Sequence, residues 1–385
     1  MTQYQLYRNE DRIDAKSPAT HAIVIGVGGY PHLHGGSGSL ADLNGGLKQL
    51  SSPPASAREV CDWLLESFNN PGKPLASVSM LISEQDGQPE YTHAKLTRPF
   101  TPQVASFRHV KSAVREWKKL GDLNEENLVL FFFCGHGVAG GLDQMTLLLA
   151  DYGEDNDMPM DGAIDFSALR RGMAQCKASQ QCFFVDACRT HSDIATKTTA
   201  TGQIIIQDNI VRPYASDWNV AVIYSTLGGE KAYGRKNKPS FYTEELISGL
   251  NGAGSNKRNG KGVWRVSTSE LHAAVHRGLS LRGHKLKPPL IEASYFEFHQ
   301  LQNDPVVPVA VYCSNDDDTS QAVFRCLKSG HEVSSRPPEA DKWFTRIPFG
   351  FYDFQAEINT RKGCRLGEVI MPPYQEIQID VESET

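Results

Sequence analysis

No stretch of this sequence stays apolar for the roughly 18 residues that a membrane-crossing helix needs. The opening MTQYQLYRNEDRIDAKSPAT is polar and charged, without the apolar core of an export signal. These absences predict a cytoplasmic chain with no membrane partner. A long basic tract is also missing. With 39 Lys and Arg against 45 Asp and Glu, the net charge is −6, and the clustered cations that neutralise a phosphate backbone are not apparent. No nucleic-acid partner is expected. Cysteine is sparse: eight residues, at 61, 134, 176, 182, 188, 313, 326 and 364, with no C-x-x-C pair. That density excludes a disulfide scaffold and predicts reduced thiols, several buried as small hydrophobes. A reducing setting also keeps a reactive thiol usable.

What is present is ordinary in bulk. A 40% hydrophobic and 22% charged composition is that of a soluble globular protein. A length of 385 residues suits one large domain and a smaller one. Apolar runs alternate with helical periodicity over residues 20–300. The run from Ala22 to Val27 reads as a first strand, and SPPASAREVCDWLLESF as a helix with apolar positions Val60, Leu64, Leu65 and Phe68. LASVSMLIS (strand), VASFRHVKSAVREWKKL (helix), NLVLFFFCGHG (strand), DFSALRRGMAQC (helix) and QCFFVDACRT (strand) continue the alternation. DWNVAVIYST, FYTEELISGLNG and STSELHAAVHRGLSLRG close it as strand, helix and helix. Continuous apolar strands between helices predict an α/β fold with a mainly parallel sheet covered on both faces. The glycines at 26, 28 and 29 lack the G-x-G-x-x-G spacing of a dinucleotide loop. From Pro305 onward, short alternating runs separated by Gly, Pro and Asp predict a small antiparallel β-sandwich. The expected organisation is therefore an N-terminal extension (1–20), an α/β domain (21–300) and an accessory β-sandwich (305–385).

Two of the predicted strands end in chemically loaded turns. His136 follows LVLFFFC between Gly135 and Gly137, and Cys188 follows FFVDA. The carboxyl edge of a parallel sheet is where such folds place their reactive groups. Neighbouring strands would bring the imidazole to the thiol, as nucleophilic catalysis requires. The backbone N–H groups of Gly137 and Cys188 are the natural oxyanion donors.

His136 and Cys188 are 52 positions apart, close to the spacing of about 50 found in caspases. In these residues the chain resembles the caspase-like cysteine peptidases, a superfamily that includes caspases, metacaspases and bacterial relatives. HAIVIGV is similar to the family's first strand, and DWNVAVIYSTLGGEKAYGRKNKPSFYTEELISGL to the start of the caspase small subunit. The resemblance spans residues 20–295. It implies a cysteine endopeptidase with a His136–Cys188 dyad and a substrate cleft lined by Ser225 and Thr226 of the YST strand. A regulated stress, cell-death or defence role is also implied, with a protein as substrate and no required cofactor. Asp186-Ala187-Cys188-Arg189-Thr190 departs from the Q-A-C-[RQG]-G caspase signature. Asp in place of Gln resembles metacaspases, where that acid favours Arg or Lys at P1, the substrate residue before the cut. Strand parity sets Asp186 on the same side as Cys188. Glu230 is a candidate second acid for the cleft. A further acid that the family usually carries at the first helix is replaced by Ser56-Ala57-Arg58.

Blander readings stand beside these. Cys182 and Cys134 read as packing thiols. A zinc site from Cys134, His136, Cys188 and His191 lacks finger or ribbon spacing. The acidic run with Asp151, Glu154, Asp155, Asp157, Asp161 and Asp165 fails the EF-hand pattern and reads as a solvated loop. Calcium remains an alternative only through metacaspase-like relatives. Residues 191–217 correspond to the caspase processing region, with Lys197 and Arg212 as cleavage points if P1 is basic, and read otherwise as an ordinary active-site loop without processing. The rival function is a silent caspase-fold scaffold. In either case the β-sandwich would dock a regulatory or activating protein.

Overall fold

The structure is a computed structural model, describing residues 3–139, 144–187, 194, 201–208, 218–225, 235–257, 262–282 and 294–383. The chain divides into two compact units. The first comprises 1–244 and 283–298, the second 245–282 and 299–385.

The first unit is built on a six-stranded sheet with the order β1-β3-β2-β4-β8-β9. These strands are β1 (Gln5–Arg8), β2 (Thr20–Val27), β3 (Leu75–Ser83), β4 (Leu128–Gly135), β8 (Gln180–Ala187) and β9 (Asn219–Tyr224). Every pair from β3 to β9 is parallel, and β1 alone runs antiparallel, against β3. The sheet is thus the mainly parallel one expected. However, residues assigned to an N-terminal extension supply its edge strand, with Tyr4 and Leu6 buried. Four residues are too short a run to show a period.

Helices α1 (Ser52–Glu66), α2 (Phe107–Gly121), α3 (Phe166–Met173) and α4 (Phe241–Leu250) follow β2, β3, β7 and β9. Every residue of β2 and β4 is buried, which explains their unbroken apolar runs. One face of the sheet packs Phe131 and Phe183 against Trp117 of α2 and Phe166 of α3, with ring centroids 5.8–6.3 Å apart. Trp117 Nε1 donates to the His21 carbonyl at 3.0 Å, so its polar edge is satisfied inside the core. On the other face α1 approaches β2 at Gly26. A Cβ there would lie 2.6 Å from the Pro53 carbonyl and 2.7 Å from Ala57 Cβ. Strands β5 (Gly137–Ala139), β6 (Met145–Leu148) and β7 (Ala163–Asp165) form a small antiparallel sheet directly after β4.

From β2 the chain crosses through α1 to β3 on one side. It then returns through α2 to β4 on the other side of β2. The loops after β2 and β4 therefore diverge at one switch point, the crevice where open α/β sheets hold ligands.

The second unit holds the rest of α4, a short β10–β11 pair (Ser255–Asn256 with Arg265–Ser267), α5 (Thr268–Leu281) and the C-terminal strands. Strand β12 (Glu297–Gln300) straddles the division. Beyond it, β13 (Val306–Cys313), β16 (Trp343–Pro348) and β19 (Gln375–Ile379) form one sheet. The second sheet contains β14 (Val323–Lys328), β15 (His331–Arg336), β17 (Gly350–Ile358), β18 (Arg361–Ile370) and β20 (Glu382–Ser383). Val309, Val311, Phe324, Phe354 and Ile379 belong to the core they share. All pairs are antiparallel except β13–β19. Strand β19 arrives from the opposite sheet, so no hairpin sets its direction. Among the described residues no helix is long and apolar enough to cross a membrane.

Candidate active site

Strands β4 and β8 run in register to their ends, pairing Cys134 with Asp186 and Gly135 with Ala187. The next residue after Gly135 is His136, which is buried. The next after Ala187 is Cys188, which lies outside the described residues, as do Thr226, Glu230, His191, Lys197 and Arg212.

Three hydrogen bonds and a ring contact hold His136. Its backbone N–H donates to the Tyr30 hydroxyl at 2.8 Å, and its backbone carbonyl accepts from Leu148 N–H at 3.0 Å. The rings of Tyr30 and His136 lie 4.9 Å apart. The third hydrogen bond orients the imidazole: Nε2 sits 2.7 Å from the Lys48 carbonyl. A carbonyl can only accept, so Nε2 carries the proton and Nδ1 keeps its lone pair. Burial pushes the His136 pKa below the ordinary imidazole value, opposed by the Lys48 hydrogen bond. The ring is thus a neutral base with one nitrogen tied and one able to accept a proton.

Lys48 belongs to the loop after β2, on the far side of the switch point. Its neighbour Gln49 staples that loop: the side-chain oxygen accepts from Tyr30 N–H at 2.7 Å, and the side-chain nitrogen donates to the Tyr30 carbonyl at 2.8 Å. A backbone acceptor leaves no residue-type signal, so sequence reasoning did not find this orienting group. Gly135 is required where it stands, because a Cβ would meet the Tyr30 hydroxyl at 2.9 Å and the Phe133 ring at 3.0 Å. Gly137 opens β5, paired with Leu147.

Asp186 is 2% exposed on the α1/α4 side of the sheet. Its Oδ2 accepts from Cys134 Sγ at 3.2 Å, from Thr243 Oγ1 at 3.3 Å and, at closer range, from Ser240 Oγ. Desolvation raises its pKa, while hydrogen bonds from Ser240, Cys134, Ser225 and Thr243 lower it. Among the described residues no cation pairs with it. Cys134 is therefore a polar neighbour of the acid, beyond the packing role expected. Ser225 is buried and donates from Oγ to the Ala187 carbonyl at 3.3 Å, beside the end of β8.

The α1 serines shape the same region. Ser52 Oγ donates to the Lys238 carbonyl at 2.7 Å, and Ser56 Oγ accepts from Ser240 N–H at 3.0 Å. Ser56 thus holds Ser240, which in turn caps Asp186. Arg58 is paired with Glu84. In the acidic run, Asp151 accepts at 3.0 Å from Phe107 N–H at the start of α2, and Asp165 caps α3 through Ala168 N–H at 2.7 Å. Both carboxylates therefore have structural duties.

A family model described as a caspase domain matches residues 76–297, more than half of the chain. A curated relative from Sinorhizobium fredii (strain NGR234), described as uncharacterized protein y4kE, is 28% identical over 214 residues. That match covers 54% of this chain and 59% of the relative, so it spans well under two thirds of the relative's length. A crystal structure of a Geobacter sulfurreducens protein aligns with 73% of this chain and 93% of its own at 14% identity, TM-score 0.40. Caspase-1 from Spodoptera frugiperda aligns with 72% of this chain and 83% of its own at 14% identity, TM-score 0.38.

Proposed function

This chain belongs to the caspase-domain family of cysteine peptidases, and from that premise we propose that it is an endopeptidase using a Cys188–His136 dyad and cutting after Arg or Lys. The observation that carries the reading is the tie between His136 Nε2 and the Lys48 carbonyl. It leaves Nδ1 as the proton acceptor on the strand end next to the one that leads into Cys188. Nδ1 takes the thiol proton, and the thiolate attacks the scissile carbonyl carbon. The N–H groups of Gly137 and Cys188 hold the oxyanion. The imidazolium then gives its proton to the departing amine, and water hydrolyses the thioester with His136 again as base.

The preference for a basic P1 residue is supported by Asp186. A buried carboxylate with only neutral donors is incompletely compensated, and an arriving guanidinium or ammonium group would favour its ionised form. Ser225 and Thr226 would line the cleft, with Glu230 as a second acid. No metal or cofactor is required by this chemistry. A protein substrate, a regulated stress, cell-death or defence pathway, and a regulatory partner on the β-sandwich complete the reading.

Fluorogenic peptides with Arg, Lys or Asp at P1 test it. The wild-type chain should hydrolyse the Arg and Lys substrates and take a thiol-reactive peptide probe, and Cys188→Ala should do neither. Hydrolysis that survives Cys188→Ala would overturn the dyad. Faster cleavage after Asp would overturn the specificity while sparing the chemistry.

A further inference from the structure

Helix α2 carries Arg108, Lys111, Arg115 and Lys119, which at offsets of three and four residues share one face. The sequence shows no basic tract because the cations are separated along the chain and collect only when the helix winds. None of the four has an ion-pair partner among the described residues. With Arg8 of β1 they border a groove of about 710 Å³. Arg8 is partly neutralised by Glu10 at 2.6 Å, and the groove's acid, Glu116, accepts from Gln5 Nε2 at 3.2 Å.

This placement works against folding. Like charges three and four residues apart repel, and the first turn of α2 holds no acid while carrying Arg108 beside the positive end of the helix dipole. Asp151 at Phe107 N–H offsets the dipole conflict, and Lys111 lies over the Phe107 ring at 5.4 Å. Among the described residues, however, the four cations keep no ion-pair partner, a local conflict of the kind found at functional surfaces. The net charge of −6 sharpens the contrast with the rest of the molecule.

We propose that this groove docks an extended acidic peptide segment of a protein partner. The four cations span about 16 Å of helix axis, enough for roughly five extended residues. The walls also supply Ile13, Leu120 and Leu123, aliphatic surface suited to the apolar side chains that alternate with acids. No aromatic ring lines the groove. Single-stranded nucleic acid is held on stacking platforms as well as cations, so the lining favours peptide.

The carboxyl-terminal half of the groove is set away from the cleft. Trp117 reaches the His21 carbonyl at the amino end of β2, so Arg115, Lys119 and Leu123 lie toward the sheet edge opposite His136. The groove stands independently of the peptidase reading. If this chain is a peptidase, it would hold substrates away from the scissile bond.

Fluorescence anisotropy with a labelled peptide of about eight residues, alternating Glu with Leu and Ala, tests the proposal. The wild-type chain should bind it, more weakly as salt rises. Arg115→Glu/Lys119→Glu should weaken binding at least about tenfold, and Arg115→Gln/Lys119→Gln in the same direction but less. Arg98→Glu, an exposed cation outside the groove, should leave it unchanged. Hydrolysis of a short fluorogenic peptide should be equal in all four proteins, which separates this test from that of the dyad. Absence of binding, equal affinity across the variants, or tighter groove-dependent binding of a single-stranded oligonucleotide would each overturn it.

Discussion

At the residue scale, the proposed chemistry turns on the state of one ring nitrogen. His136 donates from Nε2 to a main-chain carbonyl, so its tautomer depends on the loop carrying Lys48. Burial disfavours the imidazolium and holds the pKa below the ordinary 6.5. Protonation of Nδ1 removes the base, so activity should fall on the acid side, with a midpoint under that ordinary value. A pH profile of kcat/KM with an Arg-P1 peptide measures it. An acid-limb midpoint at or above 6.5 would contradict a His136 pKa lowered by burial. His136→Ala should cost about 10²–10⁴ in rate. His136 and Asp186 stand out in the sequence because each lies at the end of an apolar strand. Lys48 does not, since its contribution is a carbonyl that every residue possesses.

Elements acquire their positions from close approaches. At Gly26, α1 lies against β2 with no room for a methyl group. Gly26→Ala must displace α1, at an expected loss of about 1–3 kcal/mol. The same helix presents Ser51, Ser52 and Ser56 to the segment 237–240, so hydrolysis should decline together with stability. Urea denaturation and a peptide assay on one preparation check both, and an unchanged midpoint would show that the helix yields freely. Long elements such as β4, β8 and α2 were legible from period and run length. The edge strand β1 and the short strands β5, β6 and β7 were not, because three or four residues carry no measurable period. Strand β1 is held by β3, far along the chain, and β5, β6 and β7 by pairing with one another.

At the scale of the whole molecule, the division into units does not follow the change of sequence pattern at Pro305. The segment 245–282 clusters with the C-terminal strands. Within that second unit, buried Glu245 accepts from Arg282 at 2.6 Å and from Arg346 at 3.1 Å. Trp264 packs on Phe349 at 5.2 Å, and Val306 N–H donates to the Asn251 carbonyl at 3.2 Å. A chain ending at Asp304 loses Arg346, Phe349 and Val306 together and leaves a buried carboxylate with half of its cations. It should give less soluble protein and melt at a lower temperature than the full chain. Equal melting temperatures would show that 245–282 needs no strand beyond 304.

By itself, the sequence determined the parallel α/β architecture and the β-rich C-terminal strands, and it proposes His136, Asp186 and Cys188 as the chemical positions. Burial on both faces forces apolar runs, and a polar residue at their carboxyl ends stands out against them. Only the tertiary structure decided which nitrogen of His136 is tied, which donors enclose Asp186, and that four scattered cations share one groove. The first two depend on groups far apart in the chain meeting at hydrogen-bond distance, which no local pattern encodes. The four cations share a helical spacing, and what the tertiary structure adds is the groove they border with Arg8 and Ile13.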